Sequence, residues 1–310
     1  MPTRGILAYG AYLPYWRLNR ASIAEVTGTT AGRGHRSVAS FDEDTTTMGV
    51  EATRTALAGG APAPEALWFS TVAPAYLDKT NATAIHAALR FDAAIPAVDF
   101  SGAARSAVGA LRAALGSPSR TLVVASDLRV GRSGSSEESD GGDAAVAVLV
   151  GSGDEGPLLA EYLGGAAASA EFTDRWRIPG EAHSRTWEDR FGEQAYGPLV
   201  EKAWADALRA VGLEAGDVDR AVVTGLHRRA TARSAGALGV AGADDLATEV
   251  GNTGAAHPTL LLAHLLDSAE ADRVVALVVL ADGCDVLLFR TTGALRAGRP
   301  TRTVSAQLGH

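Results

Sequence analysis

"VDFSGAARSAVGAL", residues 98–111, runs from an apolar strand end through a corner of small residues into a helix whose apolar positions Val108, Leu111 and Leu115 share one face. Side chains at such a corner stand at the C-terminal end of a strand, where the next helix directs its free N–H groups and the positive end of its dipole. The geometry suits a nucleophile or a bound anion. Yet the corner holds Ser101 and Gly102 and no cysteine.

Outward from this corner the periodicity alternates. Upstream, "GILAYGAYLP" reads as a strand, "TTTMGVEATRTALAG" as a helix behind an acidic, threonine-rich start that caps it, "ALWFSTVA" as a buried strand and "NATAIHAALR" as a helix. Downstream come two strands, "TLVVASD" and "DAAVAVLVGS", separated by the polar loop 128–142, a flexible segment or lid. The second half repeats the order: helix "AYGPLVEKAWADALRAVG", strand "RAVVTGL", helix "PTLLLAHLLDSA", then strands "RVVALVVLAD" and "CDVLLFRT". A βα order repeated at about 150 residues points to a duplicated α/β domain with pseudo-twofold symmetry, an N-terminal half over 1–165 and a C-terminal half over 166–310. The active site is expected where the halves meet.

Composition narrows the setting. The chain has 310 residues, 46% of them apolar and 21% charged, which describes a globular protein. No apolar run approaches the length of a membrane span, and the start "MPTRGILAYGAYLP" lacks a signal peptide's apolar core, so the cytoplasm is the expected location. One cysteine, Cys284, excludes an internal disulfide and a cysteine-cluster metal site. A net charge of −8 argues against non-specific nucleic-acid binding, although arginines could still hold an anionic ligand locally. The only lysines are Lys79 and Lys202. No dinucleotide fingerprint, P-loop or metal-ligand spacing occurs.

Several strings together carry a resemblance: "GILAYGAYLPYWRL", "DEDTTTMGVEA" (42–52), "SDLRVGR" (126–132), "FTDRWRIPGEAHSRTWEDRFGEQAY" (172–196) and "VGNTGAAHPTLLLAHLLD" (250–267). They span almost the whole chain and resemble the thiolase superfamily, within it the archaeal-type 3-hydroxy-3-methylglutaryl-CoA synthases. The resemblance implies a five-layered αβαβα thiolase fold of two pseudo-twofold-related halves, usually a homodimer. It implies action on coenzyme A thioesters, with CoA arriving as part of the substrate and no covalently bound cofactor. An OB-fold and zinc-ribbon partner protein often accompanies such chains.

Carried over residue by residue, the resemblance leaves two catalytic roles empty. Gly102 stands where the family's acylated cysteine would be, and Thr71 where the synthases place a glutamate base. His227, just past the strand "VVTGL", matches the histidine that hydrogen-bonds the thioester oxygen, and Asn252 in "VGNTG" matches the asparagine that positions that histidine or, through a neighbour, the oxyanion; otherwise His227 is a strand-end histidine bonded to backbone. A site that keeps an enolate donor without a nucleophile suits retro-aldol cleavage of a β-hydroxyacyl-CoA. Some thiolase-like aldolases that this chain also resembles act without the cysteine and use a tyrosine base.

Tyr76 is the candidate base, with Lys79 able to lower its pKa and Asp78 to orient it; the alternative is a loop tyrosine at a dimer contact, with Asp78 and Asn81 capping the next helix. His257, before Pro258 at a helix start, is a second candidate base. Arg105, Arg228, Arg229 and Lys79 are candidates to meet the CoA phosphates. Cys284 or Ser101 would serve a synthase or acyltransferase with a displaced nucleophile, although Cys284 reads better as a buried thiol. A non-catalytic acyl-CoA-binding scaffold is the third reading. Asp282 and Asp285 bracket Cys284 on a loop that enters the family's site, where turn chemistry explains the Asp-Gly pair equally well. Segment 172–196 is expected to shape the acyl pocket or the dimer contact.

Overall fold

Near-continuous apolar runs such as "AAVAVLVGS" suit strands that are covered on both faces, and the structure places them there. In the computed structural model, residues 2–30 and 32–308 are described, the side chains of Ser101 and Asp189 apart. The first half runs β1 (Arg4–Tyr12), β2 (Trp16–Asn19), α1 (Arg20–Thr27), β3 (His35–Val38), α2 (Thr45–Leu57), β4 (Ala66–Thr71) and α3 (Ala82–Ala88). It continues through β5 (Ala97–Ser101), α4 (Arg105–Gly116), β6 (Thr121–Asp127), α5 (Ser136–Asp140) and β7 (Ala144–Ser152). The second half comprises β8 (Ala160–Ser169), the small β9 (Arg175–Trp176) and β10 (Arg185–Thr186), α6 (Asp189–Val211), β11 (Arg220–Gly225) and α7 (Arg228–Ala237). Helix α8 (His257–Ser268), β12 (Val274–Leu280), β13 (Gly283–Thr291) and α9 (Leu295–Gly298) complete it.

The strands order as β11-β12-β13-β8-β1-β7-β6-β4-β5. Strands β1 and β8 touch only at Gly5 and Ile6 against Glu161 and Ala160, so the ribbon divides there into two sheets. Each sheet keeps one parallel pairing pattern, β4 beside β6 and β11 beside β12, followed by antiparallel neighbours. Helices α4 and α8 lie between the sheets, and one apolar cluster joins Val108, Leu111 and Leu115 to Leu260, Leu261 and Leu265. Helix α2 covers the outer face of the first sheet through Met48 and Ala52 against Leu67, Phe69 and Leu122. Helix α6 covers the second through Ala203, Trp204 and Ala207 against Val278, Val286 and Leu288. The result is the five-layered αβαβα arrangement.

The expected elements form, with local differences. Asp44 caps α2 by accepting from the N–H groups of Thr46 and Thr47, while Thr47 returns a bond to the Asp44 backbone. Strand β8 and helix α7 go beyond the expectations, and the division at 165/166 runs through β8. The loop 128–142 contains the short helix α5. Parallel strand β5 has no full counterpart in the second half, where its place holds a single bridge between Ala221 and Gly242. No helix among the described residues is long and apolar enough to cross a membrane.

Helix α3 begins differently from the expected Asn81 or Asp78 cap. Asn81 makes no side-chain cap bond. Instead the Asp99 carboxylate, reaching over from β5, accepts from the Asn81 and Ala82 N–H groups at 2.7 Å each. Asp99→Ala is expected to cost about 1–2 kcal/mol, as for loss of a helix cap, read as a lower urea midpoint; an unchanged midpoint would remove this role from Asp99.

Candidate functional site

The corner ends as the sequence pattern requires. Gly102 has φ +111, and a Cβ built there would meet nothing within 4 Å, so the backbone conformation rather than crowding favours glycine. Helix α4 then starts at Arg105 with no side-chain cap at Ala104.

Opposite this corner, β11 delivers His227. It is the N-cap of α7, and its Nδ1 accepts the Ala230 N–H at 3.1 Å. An Nδ1 that accepts leaves the ring proton of the neutral imidazole on Nε2, which is therefore a donor. That Nε2 is buried and has no hydrogen-bond partner. Tyr196 lies with its ring 6.2 Å from the imidazole, and its hydroxyl donates to Asp174 at 2.9 Å. Gly192 of α6 lies over the ring: a Cβ there would stand 2.4 Å from Nε2, so only glycine permits this approach.

Asn252 organises the loop beside them. Its Nδ2 donates to the Gly225 carbonyl at 3.0 Å, at the end of β11, and its Oδ1 accepts the Gly254 N–H at 2.9 Å. Its backbone bonds Asp140 and Gly142. The Asn252 side chain is thus bonded to the β11 end, two residues before His227, and not to the imidazole. A cavity of about 10 Å³, room for about one water, is lined here by Ala104, Gly225, Asn252 and Gly254.

Beneath the loop sits Asp127, fully buried at the end of β6. It accepts from the Val72 N–H (3.2 Å), the Ala255 N–H (2.9 Å) and the Thr71 hydroxyl (3.3 Å), with Arg129 at 3.8 Å. Burial pushes its pKa up, against the pull of Arg129 and these donors. Nothing in the sequence singled Asp127 out beyond its place in "SDLRVGR". Thr71 is itself buried and accepts the Ala73 N–H, so it offers no exposed base.

The other candidates scatter. Tyr76 is 55% exposed on the loop after β4, with the Lys79 ammonium 5.7 Å from its ring centroid. Lys79 itself donates to the Thr80 carbonyl and the Thr83 hydroxyl. Arg105 is engaged inside the protein: its Nε pairs with Asp285 at 2.7 Å and its Nη1 donates to the Asp282 carbonyl at 2.7 Å. Asp282, at φ 46, and Gly283, at φ 135, form the tight turn between β12 and β13. Cys284 is wholly buried, and burial followed by the Asp285 charge pushes its thiol up to about 12, far from a thiolate at neutral pH. The Ser101 side chain lies outside the described residues. Arg228 and Arg229 are exposed on α7, and Arg228 stands 3.7 Å from Asp140. Arg228, Thr29, Thr30, Ser135, Ser136 and Asp140 line a polar cavity of about 180 Å³.

His257 opens α8 but is 4% exposed, with Nδ1 3.4 Å from the Thr253 hydroxyl. Burial pushes its pKa down to about 4 from the ordinary 6.5, so it is neutral at physiological pH. Between these two values the unfolded chain binds a proton that the folded protein refuses. Stability from this group is full above pH 6.5 and declines as pH falls toward about 4, by an amount on the order of 3 kcal/mol. The difference in denaturation midpoint between the protein and His257→Gln is expected to narrow over that range; a constant difference would refute the buried neutral state.

No family model matches the chain. The hydroxymethylglutaryl-CoA synthase of Aeropyrum pernix is 30% identical over 316 residues, covering 96% of this chain and 87% of the relative. The synthase of Pyrococcus furiosus is 30% identical over 227 residues, 70% of this chain, and the match spans 65% of that relative's length. A crystal structure of HMG-CoA synthase complexed with CoA superposes with a TM-score of 0.79 at 16% identity, covering 98% of this chain and 86% of the other. The 3-oxoacyl-(acyl carrier protein) synthase III of Pseudomonas aeruginosa superposes at 0.78 with 22% identity, covering 94% and 98%. These superpositions show the thiolase fold, and the nearly full-length match to the A. pernix protein shows that this chain belongs to the hydroxymethylglutaryl-CoA synthase family.

Proposed function

We propose that the protein acts on acyl-CoA thioesters through a thioester enolate, without an acyl-cysteine, most simply by retro-aldol cleavage of a β-hydroxyacyl-CoA. The observation that carries this is the buried, unpartnered Nε2–H of His227, a donor of the kind that holds an enolate oxygen. The corner supplies glycine at 102, and the one cysteine is buried with its pKa raised, which disfavours a nucleophile displaced to Cys284.

In the proposed reaction a base takes the proton of the β-hydroxyl. The O–H electrons form the new carbonyl as the Cα–Cβ bond breaks, and that bond's electron pair passes to the thioester oxygen. His227 Nε2–H donates to this oxygen, and Asn252 holds the β11 end from which His227 projects. Protonation at Cα then releases the shortened acyl-CoA. Run backwards, the same steps join an enolate to a carbonyl compound, the direction a synthase family suggests. Gly192 covers the imidazole edge, so the first turns of α6 shift to admit substrate; Pro198, which lacks an N–H, leaves this end of the helix short of one bond.

The CoA tail is assigned to the polar cavity beside Arg228, with Arg229 on the same helix. Strand β5 ends the sheet, Val98 on it is 44% exposed, and Tyr76 and Leu77 are exposed on the nearby loop. Two copies pairing β5 edge to edge would cover this face, and Tyr76 would then serve as base from the partner's loop. Val98→Lys is expected to convert a dimer into a monomer in light scattering; a monomeric parent protein would defeat the pairing.

The activity is tested by incubating the protein, alone and with an OB-fold partner, with β-hydroxyacyl-CoA and acetyl-CoA thioesters under mass spectrometry. Cleavage to a carbonyl compound without gain of protein mass is expected. His227→Ala is expected to lower turnover by about 10²–10³-fold, as for removal of an oxyanion donor, with the fold intact by circular dichroism. An acyl adduct on the protein, or an unchanged rate in His227→Ala, would overturn the mechanism, and thioester binding without turnover would favour a scaffold.

A further inference from the structure

His227 Nε2 is shut away in this structure. It is buried without a partner, and a Cβ on Gly192 would stand 2.4 Å from it. The cavity at the end of β11 has room for about one water, so a thioester carbonyl reaches the imidazole only if something moves. Gly192 belongs to the stretch that leaves β8 after Ser169 and enters α6, and the character of that stretch says what moves. None of residues 173–188 is buried. Its regular structure is the small pair β9 and β10, two residues each. Phe172, with its ring 5.0 Å from that of Tyr196, roots its start in the core of the second sheet, while Ile178, Trp187 and Phe191 are exposed. A segment with so few buried apolar contacts opens at low cost.

What holds it down is polar and belongs to the first half of the chain. The Arg175 guanidinium pairs with Glu137 of α5, both side chains being mostly buried. Arg177 Nη2 donates to the Val72 carbonyl, just past β4, at 2.6 Å, and His183 Nδ1 stands 3.4 Å from the Val130 carbonyl. The receiving side is rigid. Glu137 is also held by Arg129 at 3.1 Å, and Arg129 is fixed in turn by Asp127, 3.8 Å from its guanidinium, and by Asp143, which accepts its backbone N–H at 2.7 Å. Arg36 donates to the Glu138 carbonyl at 2.6 Å and so anchors α5 to β3. The other side is tied to itself: the Trp187 N–H donates to the Asp174 carbonyl at 2.8 Å, and the Trp176 and Trp187 rings lie 6.4 Å apart. Such a hairpin swings as a unit once its ties to the first half release.

We propose that segment 172–192 is a hinged cover over His227, latched by Arg175 on Glu137 and by Arg177 on the Val72 carbonyl, so that Glu137 and Arg177 gate the site. The use of this gate rests on the enolate reading and deepens it: raised, the cover lifts Gly192 from Nε2 and admits a thioester; lowered, it keeps water from the enolate. Both latches are polar contacts that water replaces on opening, so they set the opening equilibrium with little loss of core burial.

The rate at which diethyl pyrocarbonate modifies each histidine of the full chain, followed peptide by peptide in mass spectrometry, tests the cover. No thioester is involved, so the cover and the acyl-CoA reading fail separately. His227 is expected to react far more slowly in the folded protein than in the same chain unfolded in urea. Glu137→Gln is expected to speed its modification about tenfold, as for loss of a charge-assisted hydrogen bond. Arg177→Met, an exposed position and milder for folding, is expected to speed it severalfold. His257, 4% exposed, is expected to stay unmodified in both variants, which shows that the fold is intact. A His227 that reacts in the parent protein as fast as in urea would overturn the cover, and a rate unchanged in both variants would overturn the latches. A parallel rise at His257 would mean general loosening and would overturn the gate as well.

Discussion

The buried carboxylate of Asp127 is the constraint on which the rest of the site depends. Taking a carboxylate out of water costs several kcal/mol unless it is paired and hydrogen-bonded. Asp127 meets that condition by drawing together the end of β4, at the Thr71 hydroxyl and the Val72 N–H, and the turn before α8, at Ala255, with Arg129 alongside. Gly254 has to be glycine because a Cβ there would stand 2.1 Å from the Asp127 oxygen. Once that turn is seated, Asn252 is placed to hold the Gly225 carbonyl, and β11 presents His227 at its end. The end of β11 that precedes His227 is therefore tied, through Asn252 and Gly254, to the turn seated on one buried carboxylate.

Positive charge is deployed through the same logic. The arginine fork satisfies carbonyls that would otherwise be orphaned where chain segments end. Arg4 donates to the carbonyls of Ala114 and Ser119 at the close of α4, Arg36 to those of Arg129 and Glu138, and Arg299 to those of Leu266 and Ala269 at the close of α8. A lysine ammonium has no such planar fork, which is a physical reason for a chain with only two lysines. Arg105, a candidate for phosphate from its place at the start of α4, belongs to this internal set. With Arg112 it clamps Asp285 and so ties the helix between the sheets to the β12–β13 turn of the other half.

Periodic segments were legible and aperiodic ones were not. The runs that became β1, β6, β7, β12 and β13 are buried on both faces, and apolarity alone marks them. Strand β8, "AEYLGGAAAS", carries two adjacent glycines, is only partly buried through its middle, and bends at Gly164 with φ +152, so no period of two survives to be read. Helix α7, "RRATARSAGA", buries only Ala230 and Ser234, and a helix with so narrow a buried face shows no apolar stripe. In the site, the corner at Gly102 and the strand-end His227 could be placed from the chain, because each is set by the element it terminates.

What the sequence by itself determined, then, was the alternation of elements, their duplication, the local cap of α2 by Asp44, and the absence of a cysteine at the corner. These depend on residues within a few positions of one another. Only the tertiary structure decided that Asp99 rather than Asn81 caps α3, that Asp285 rather than a phosphate holds Arg105, and that Asp127 and Ala255 bond across 128 positions. It alone brought Arg129, Arg175 and Glu137 together beyond the end of β6. A charged side chain's partner is set by which loops the packed sheets bring into reach, and packing of that range leaves no periodic trace in the chain.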